Sequence, residues 1–122
     1  MDYKNNPTSV RLKAFALRVI RLCNSLPQNN VGWNIGKQLL KSGTSIGANY
    51  RESQRASSKK HFISILEISL READETLWWL ELIVESGTIS AVLMADILAE
   101  CDEIIRILAA AVKTAKRDSD SR

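Results

Sequence analysis

The sequence is poor in the residues that most often carry chemistry: it has one histidine, two cysteines and five glycines in 122 residues. With His61 standing alone, a Ser-His-Asp triad, a Cys-His pair or a histidine-rich metal site could each be built only around that one side chain. Cys23 and Cys101 are far apart, each inside an apolar helical pattern where a free cysteine is usually a small buried hydrophobe. They cannot make a disulfide framework, and with His61 they supply three ligands where a structural zinc takes about four. A carboxylate metal centre in a helical bundle repeats Glu-x-x-His on two helices, and the residue three before His61 is Ser58. Gly32, Gly36, Gly43 and Gly47 fit neither the GxxxxGKS/T nor the GxGxxG phosphate loop. No catalytic residue, metal or cofactor is expected, so the chain does not read as an enzyme.

Long hydrophobic runs are also missing. Glu81 interrupts the segment from Thr76 to Val84 and Arg106 the segment from Ile104 to Val112, so nothing approaches the ~20 apolar residues of a membrane span. The first six residues are polar and lack the apolar core of a secretory signal, which places the expected location in the cytoplasm with no membrane partner. With only two prolines, 45% hydrophobic and 25% charged residues, collagen-like, low-complexity and disordered classes are excluded. A chain of this length buries close to 70% of its unfolded surface in one core, so residues 1–122 are expected to form a single domain.

What is present is helical periodicity from Thr8 onward, without sustained two-residue alternation, and this predicts an all-α fold. Leu12, Phe15, Val19, Leu22 and Leu26 define a first helix over about residues 8–25, with Thr8 or Ser9 as its cap and Pro27 blocking continuation. Ile35, Leu39, Gly43, Ile46 and Tyr50 mark a second, over about 31–55. Interior glycines cost a helix up to ~1 kcal/mol each, so Gly43 and Gly47 are expected to permit a close helix approach or a kink. Ser57 or Ser58 starts a third helix over about 58–86, ended by Gly87. Its seam of Phe62, Leu66, Ser69, Ala73, Thr76, Leu80 and Val84 is flanked by further apolar residues over more than half the circumference. Thr88 or Ser90 starts a fourth, with Ile97, Cys101, Ile104, Leu108 and Val112 as its seam. The polar ends, about 1–7 and from Lys116 onward, are expected to be flexible. Short connections make this an antiparallel up-down four-helix bundle. The surplus apolar surface of the third helix predicts a homo-oligomer contact through Trp78, Trp79, Leu82 and Ile83, with Trp79 as anchor, closing into a ring.

Charge is strongly polarised. Residues 1–60 hold eleven Lys or Arg against two acids, a net +9, while residues 61–122 hold six against twelve, a net −6. The densest basic cluster is Arg51, Arg55, Lys59 and Lys60, joined by Lys37, Lys41 and Arg18; Arg51, Arg55 and Lys59 would share a face if a helical path ran through Ser57. Such a face fits nucleic acid or an acidic protein partner. The competing reading is internal pairing, Arg18 or Lys41 facing Glu75 or Glu100, in surface ion pairs worth under ~1 kcal/mol each. Trp78 and Trp79 lie among acids, which suits a protein interface better than a base-stacking platform.

The stretch Ser45-Ile46-Gly47-Ala48-Asn49-Tyr50-Arg51-Glu52, then Ser58-Lys59 and Phe62, then Leu70-Arg71-Glu72-Ala73-Asp74-Glu75-Thr76 running into Trp79-Leu80, resembles the four-helix-bundle proteins of the 23S rRNA intervening-sequence family. The likeness runs from Leu26-Pro27 to the fourth helix. The family pattern commonly reads Ser-Ile-Pro-Ala-Asn, and here Gly47 takes the proline position. The resemblance implies a bacterial all-α bundle assembling as a ring, commonly a pentamer, and favours an adaptor that binds nucleic acid, RNA before DNA, over catalysis; a protein-only scaffold is the alternative. It carries over no catalytic residue. Asn49, within an apolar face, is expected to bond a neighbouring helix's backbone or Glu72.

Overall fold

The structure, a computed structural model, describes residues 6–120. It contains four helices in antiparallel succession and, among the described residues, no strand: α1 (Pro7–Ser25), α2 (Asn30–Ser53), α3 (Lys59–Glu85) and α4 (Ala91–Asp120). Local chemistry sets each boundary. α1 starts one residue earlier than the apolar pattern implied, because Asn6, not Thr8 or Ser9, is the cap: its Oδ1 accepts from the backbone N–H of Thr8 at 2.9 Å and of Ser9 at 3.2 Å. Pro7 then fits the first turn, where its missing N–H costs nothing. Asn29 caps α2 through Gly32 N–H, and Ser58 caps α3 through His61 N–H. α3 ends in a Schellman motif. Gly87 takes φ +77, its N–H donates to Val84 O, and Thr88 N–H donates to Ile83 O.

The seams converge on one core. Leu12, Phe15 and Val19 of α1 meet Leu39 and Ile46 of α2, Leu66 and Leu80 of α3, and Ile97, Ile104 and Leu108 of α4. α2 is a continuous helix through Gly43 and Gly47, so these glycines serve approach and not a kink. A Cβ at Gly43 would sit 2.8 and 2.9 Å from the two Cγ atoms of Val19, and one at Gly47 3.3 Å from Leu12 Cβ. α2 and α3 are pinned in register by buried hydroxyls: Thr76 Oγ1 donates to Ser42 Oγ at 2.9 Å and Ser69 Oγ to Ile46 O at 2.8 Å.

Two expectations are corrected. α4 continues to Asp120, past the point where the tail was expected to lose structure, because Ala115 is buried and Lys116 pairs with Glu67 of α3 at 3.0 Å. The N-terminal residues 1–5 and the last two residues lie outside the described residues. The apolar excess of α3 is largely absorbed within the chain, since α3 is packed between α2 and α4 and buries two sides rather than one. Ile83, expected at a subunit contact, is fully enclosed at 0% exposure and belongs to the core. Leu82 and Trp79 are half-buried, and Trp79 Nε1 donates to Glu75 one turn away. Of the two tryptophans of α3, Trp78 is the one left outside, 56% exposed.

Candidate nucleic-acid interface

The cations of the second helix and the following turn are separated by the fold into groups. α2 stops at Ser53 and α3 starts at Lys59, so Arg51, Arg55 and Lys59 do not lie on one continuous helical face. They share an end of the bundle instead. Arg51 sits in the last turn of α2, where a cation complements the helix dipole, and Arg55 follows in the turn, its backbone N–H held by Glu52 O. Lys59 and Lys60 open α3 and are exposed; the Lys59 ammonium stands 5.5 Å over the Phe62 ring.

Antiparallel packing brings two more elements to this end. The start of α1 is tied to the end of α2 by Tyr50, whose hydroxyl donates to Asn6 Oδ1 at 3.2 Å. Beside it, Lys13 and Arg51 flank a groove of about 300 Å³ between α1 and α2, floored by Leu12, Ala16, Gly47 and Ala48. The last turns of α4 return to the start of α3: Lys59 and Phe62 share a shallow depression with Ala111, Ala115 and Asp118. Lys113, Lys116 and Arg117 therefore join the basic end, Lys116 paired with Glu67 and Arg117 Nε 4.0 Å from Asp118 Oδ1. Sequence reading missed Lys13 and this α4 group. The signal was α4's length: at 30 residues and ~1.5 Å per residue it spans the whole bundle back to the α2–α3 turn.

The remaining predicted cations lie elsewhere. Lys37 and Lys41 are exposed further up α2, and Lys41 stands near Glu72 of α3, whose carboxyl is pushed up mainly by burial and then by Glu75, with Lys41 and Arg71 pulling the other way. Arg18 is half-buried on α1 and contributes to the field at Glu100. The close pair on that side is a different one: Arg11 Nε and one terminal nitrogen donate to both oxygens of Glu100 at 2.8 and 2.7 Å, a two-pronged bridge from α1 to α4. These hydrogen bonds hold the Glu100 carboxyl below its ordinary range and raise Arg11. Internal pairing between α1 and α4 thus occurs through Arg11, where Arg18 or Lys41 was expected, and Lys116 makes a second inter-helix pair with Glu67. Asn49 is also corrected: its amide donates to Ser45 O of its own helix at 2.9 Å, so it back-bonds locally and reaches neither Glu72 nor another helix.

Nothing else among the described residues gathers reactive groups. No set of three His, Cys, Asp or Glu side chains is placed to hold a metal ion. Cys101 is enclosed, its Sγ 3.6 Å from Ala73 O, and burial pushes its thiol up to about 12; burial raises Cys23 as well. No helix among these residues is long and apolar enough to cross a membrane.

The fold defines a class: among the described residues, an all-α chain of four helices. Within that class the chain belongs to the 23S rRNA-intervening sequence protein family, whose model matches residues 9–110. It is similar to a crystal structure of a protein of unknown function from the S23 ribosomal protein family of Bacteroides thetaiotaomicron. The two are 37% identical with a TM-score of 0.82, over 87% of this chain and 98% of that one. No curated protein matches the chain.

Proposed function

We propose that this protein is a non-enzymatic, oligomeric adaptor of the bacterial cytoplasm that binds RNA, or an RNA-containing assembly, through the phosphate backbone. The observation that supports this reading is that Arg51, Arg55, Lys59 and Lys60, one run of sequence, lie at the end of the bundle to which the last turns of α4, with Lys113 and Arg117, return. Long flexible cations without interleaved aromatic platforms suit phosphate contacts and not base reading; Tyr50 is buried and hydrogen-bonded, and Phe62 is engaged with the core and with Lys59. Assembly of several copies would present the same weak cluster repeatedly and raise avidity without new contacts.

The test is retention of structured RNA and of duplex DNA in a gel shift at about 50 mM salt, where the electrostatic attraction is strong. Wild-type protein is expected to bind both with little sequence preference, and Arg55→Ala with Lys59→Ala to weaken binding on all sequences alike. No retention of either nucleic acid would remove the reading and leave a protein-only scaffold, which the exposed Trp78 favours.

A further inference from the structure

The groove between α1 and α2 is built like a small-molecule site. Leu12, Ala16, Gly47 and Ala48 make its apolar floor and walls, and it is open because three of these four residues carry a methyl group or nothing. With about 300 Å³ and a few polar groups among apolar ones, it has the size and make-up of a small ligand pocket. Thr44, at its upper end, spends its hydroxyl on Leu40 O of its own helix at 2.6 Å. The polar groups left over gather at the other end, where Ser9, Lys13 and Arg51 line both this groove and an adjoining hollow beside Val10.

These three groups are arranged for an anion. No acid lines either hollow, and among the described residues Lys13 makes no ion pair or hydrogen bond. Ser9 is enclosed, 8% exposed, yet its hydroxyl has no partner among those residues. Since no fully enclosed side-chain polar atom there lacks a partner, that hydroxyl faces the open space of the groove. Arg51 can add to the bonds it already makes, because a guanidinium carries five N–H donors. A carboxylate accepts from all three. The apolar part calls for an aliphatic tail rather than a ring: no aromatic side chain lines the groove, and the corridor from Thr44 to Arg51 is about 10 Å long at ~1.5 Å per residue. An extended chain of about eight carbons has that length. We propose that the groove binds a medium-chain fatty carboxylate, its head on Ser9, Lys13 and Arg51 and its tail along Leu12, Gly47 and Ala48.

This site is separate in its demands from the nucleic-acid surface: Arg55, Lys59 and Lys60 do not line the groove, and Arg51 alone of that run does. An RNA phosphate offers the head without the tail, so tail length separates the two ligands in the experiment.

The experiment is isothermal titration calorimetry of the full chain with sodium octanoate, beside acetate, butanoate, hexanoate, inorganic phosphate and octan-1-ol. Octanoate is expected to bind at one site per chain, with affinity rising about fourfold per added methylene from butanoate to octanoate. Acetate and phosphate should bind at least about a hundredfold more weakly, and octan-1-ol at least about tenfold more weakly. Lys13→Met is expected to weaken octanoate at least about tenfold. Ala48→Leu, at an exposed helical position, fills the groove and lowers binding further, and both variants keep wild-type helicity by circular dichroism. Lys37→Met, removing a cation of α2 outside the groove, leaves binding unchanged. No octanoate binding at millimolar concentration would overturn the proposed site. So would acetate or phosphate binding as tightly as octanoate, octan-1-ol matching it, or octanoate binding that Lys13→Met and Ala48→Leu both leave intact.

Discussion

The closeness of α1 and α2 rests on Gly43, and adding one methyl group there tests it. In Gly43→Ala the new Cβ would lie 2.8 and 2.9 Å from the two Cγ carbons of Val19 and 3.2 Å from its Cβ, well inside the ~3.5–4.0 Å of a favourable carbon contact. Val19 is fully buried and, being β-branched, is stiff about χ1, so it cannot swing clear and the helices must separate. Overpacking of this kind costs about 1–3 kcal/mol, while replacing a helical glycine by alanine returns up to ~1 kcal/mol of propensity. The net expectation is a loss of about 1 kcal/mol, opposite in sign to the gain an open helical glycine would give. Gly47 serves as the internal comparison. Its nearest neighbour, Leu12 Cβ, is at 3.3 Å, so Gly47→Ala should fall close to zero. In a Val19→Ala background both Cγ atoms are gone, and Gly43→Ala should become neutral or stabilising, a coupling of at least about 1 kcal/mol. Urea unfolding followed by helical circular dichroism, at one fixed protein concentration, reads these differences. A stabilising Gly43→Ala in the wild-type background, or no coupling to Val19, would refute the close approach.

Two further predictions follow from side-chain environments. The Glu100 carboxyl is held below its ordinary value near 4.5 chiefly by the Arg11 hydrogen bonds, so its contribution is present at neutral pH and disappears as pH falls through the depressed folded-state value; Arg11→Met should cost no more than ~1 kcal/mol at pH 7 and nothing once Glu100 is protonated, measured by urea unfolding across acidic pH. Cys101, enclosed with its thiol near 12, should resist alkylation in the native protein while the less buried Cys23 reacts faster, read by mass spectrometry over a time course; equal rates would contradict the packing around α4.

Much of the fold was legible because it depends on local periodicity. The spacing of Leu12, Phe15 and Val19, and of Ile97, Cys101, Ile104 and Leu108, specifies which stripe of each helix is buried without reference to the others. Gly43 was legible as a close approach because an interior glycine makes sense chiefly where a neighbour occupies the space of its side chain. What the sequence did not disclose depends on neighbour identity and rotation. Arg11 rather than Arg18 meets Glu100 because of how α1 turns against α4, and both arginines satisfy the same charge pattern. Ile83 and Trp78 both looked surplus to one seam, yet the common core encloses the first and the second is 56% exposed. The basic end was legible only in part, since Arg51 to Lys60 form a run in sequence whereas Lys113 and Arg117 join them through a helix that spans the bundle. A polar tail reads as unstructured until Lys116 is seen to reach Glu67.

The central claim is that the basic end binds nucleic acid through phosphates, and the slope of binding against salt tests it most directly. Log K for structured RNA, plotted against log salt, is expected to fall linearly with a slope near −0.9 per phosphate contacted in duplex regions or about −0.7 on single strands. Arg55→Ala with Lys59→Ala should flatten that slope by one to two contacts, while Arg106→Ala, removing an exposed cation on α4 paired with Asp102, should leave it unchanged. A slope close to zero in the wild type, or one that the Arg55 and Lys59 substitutions leave as steep as before, would contradict the account.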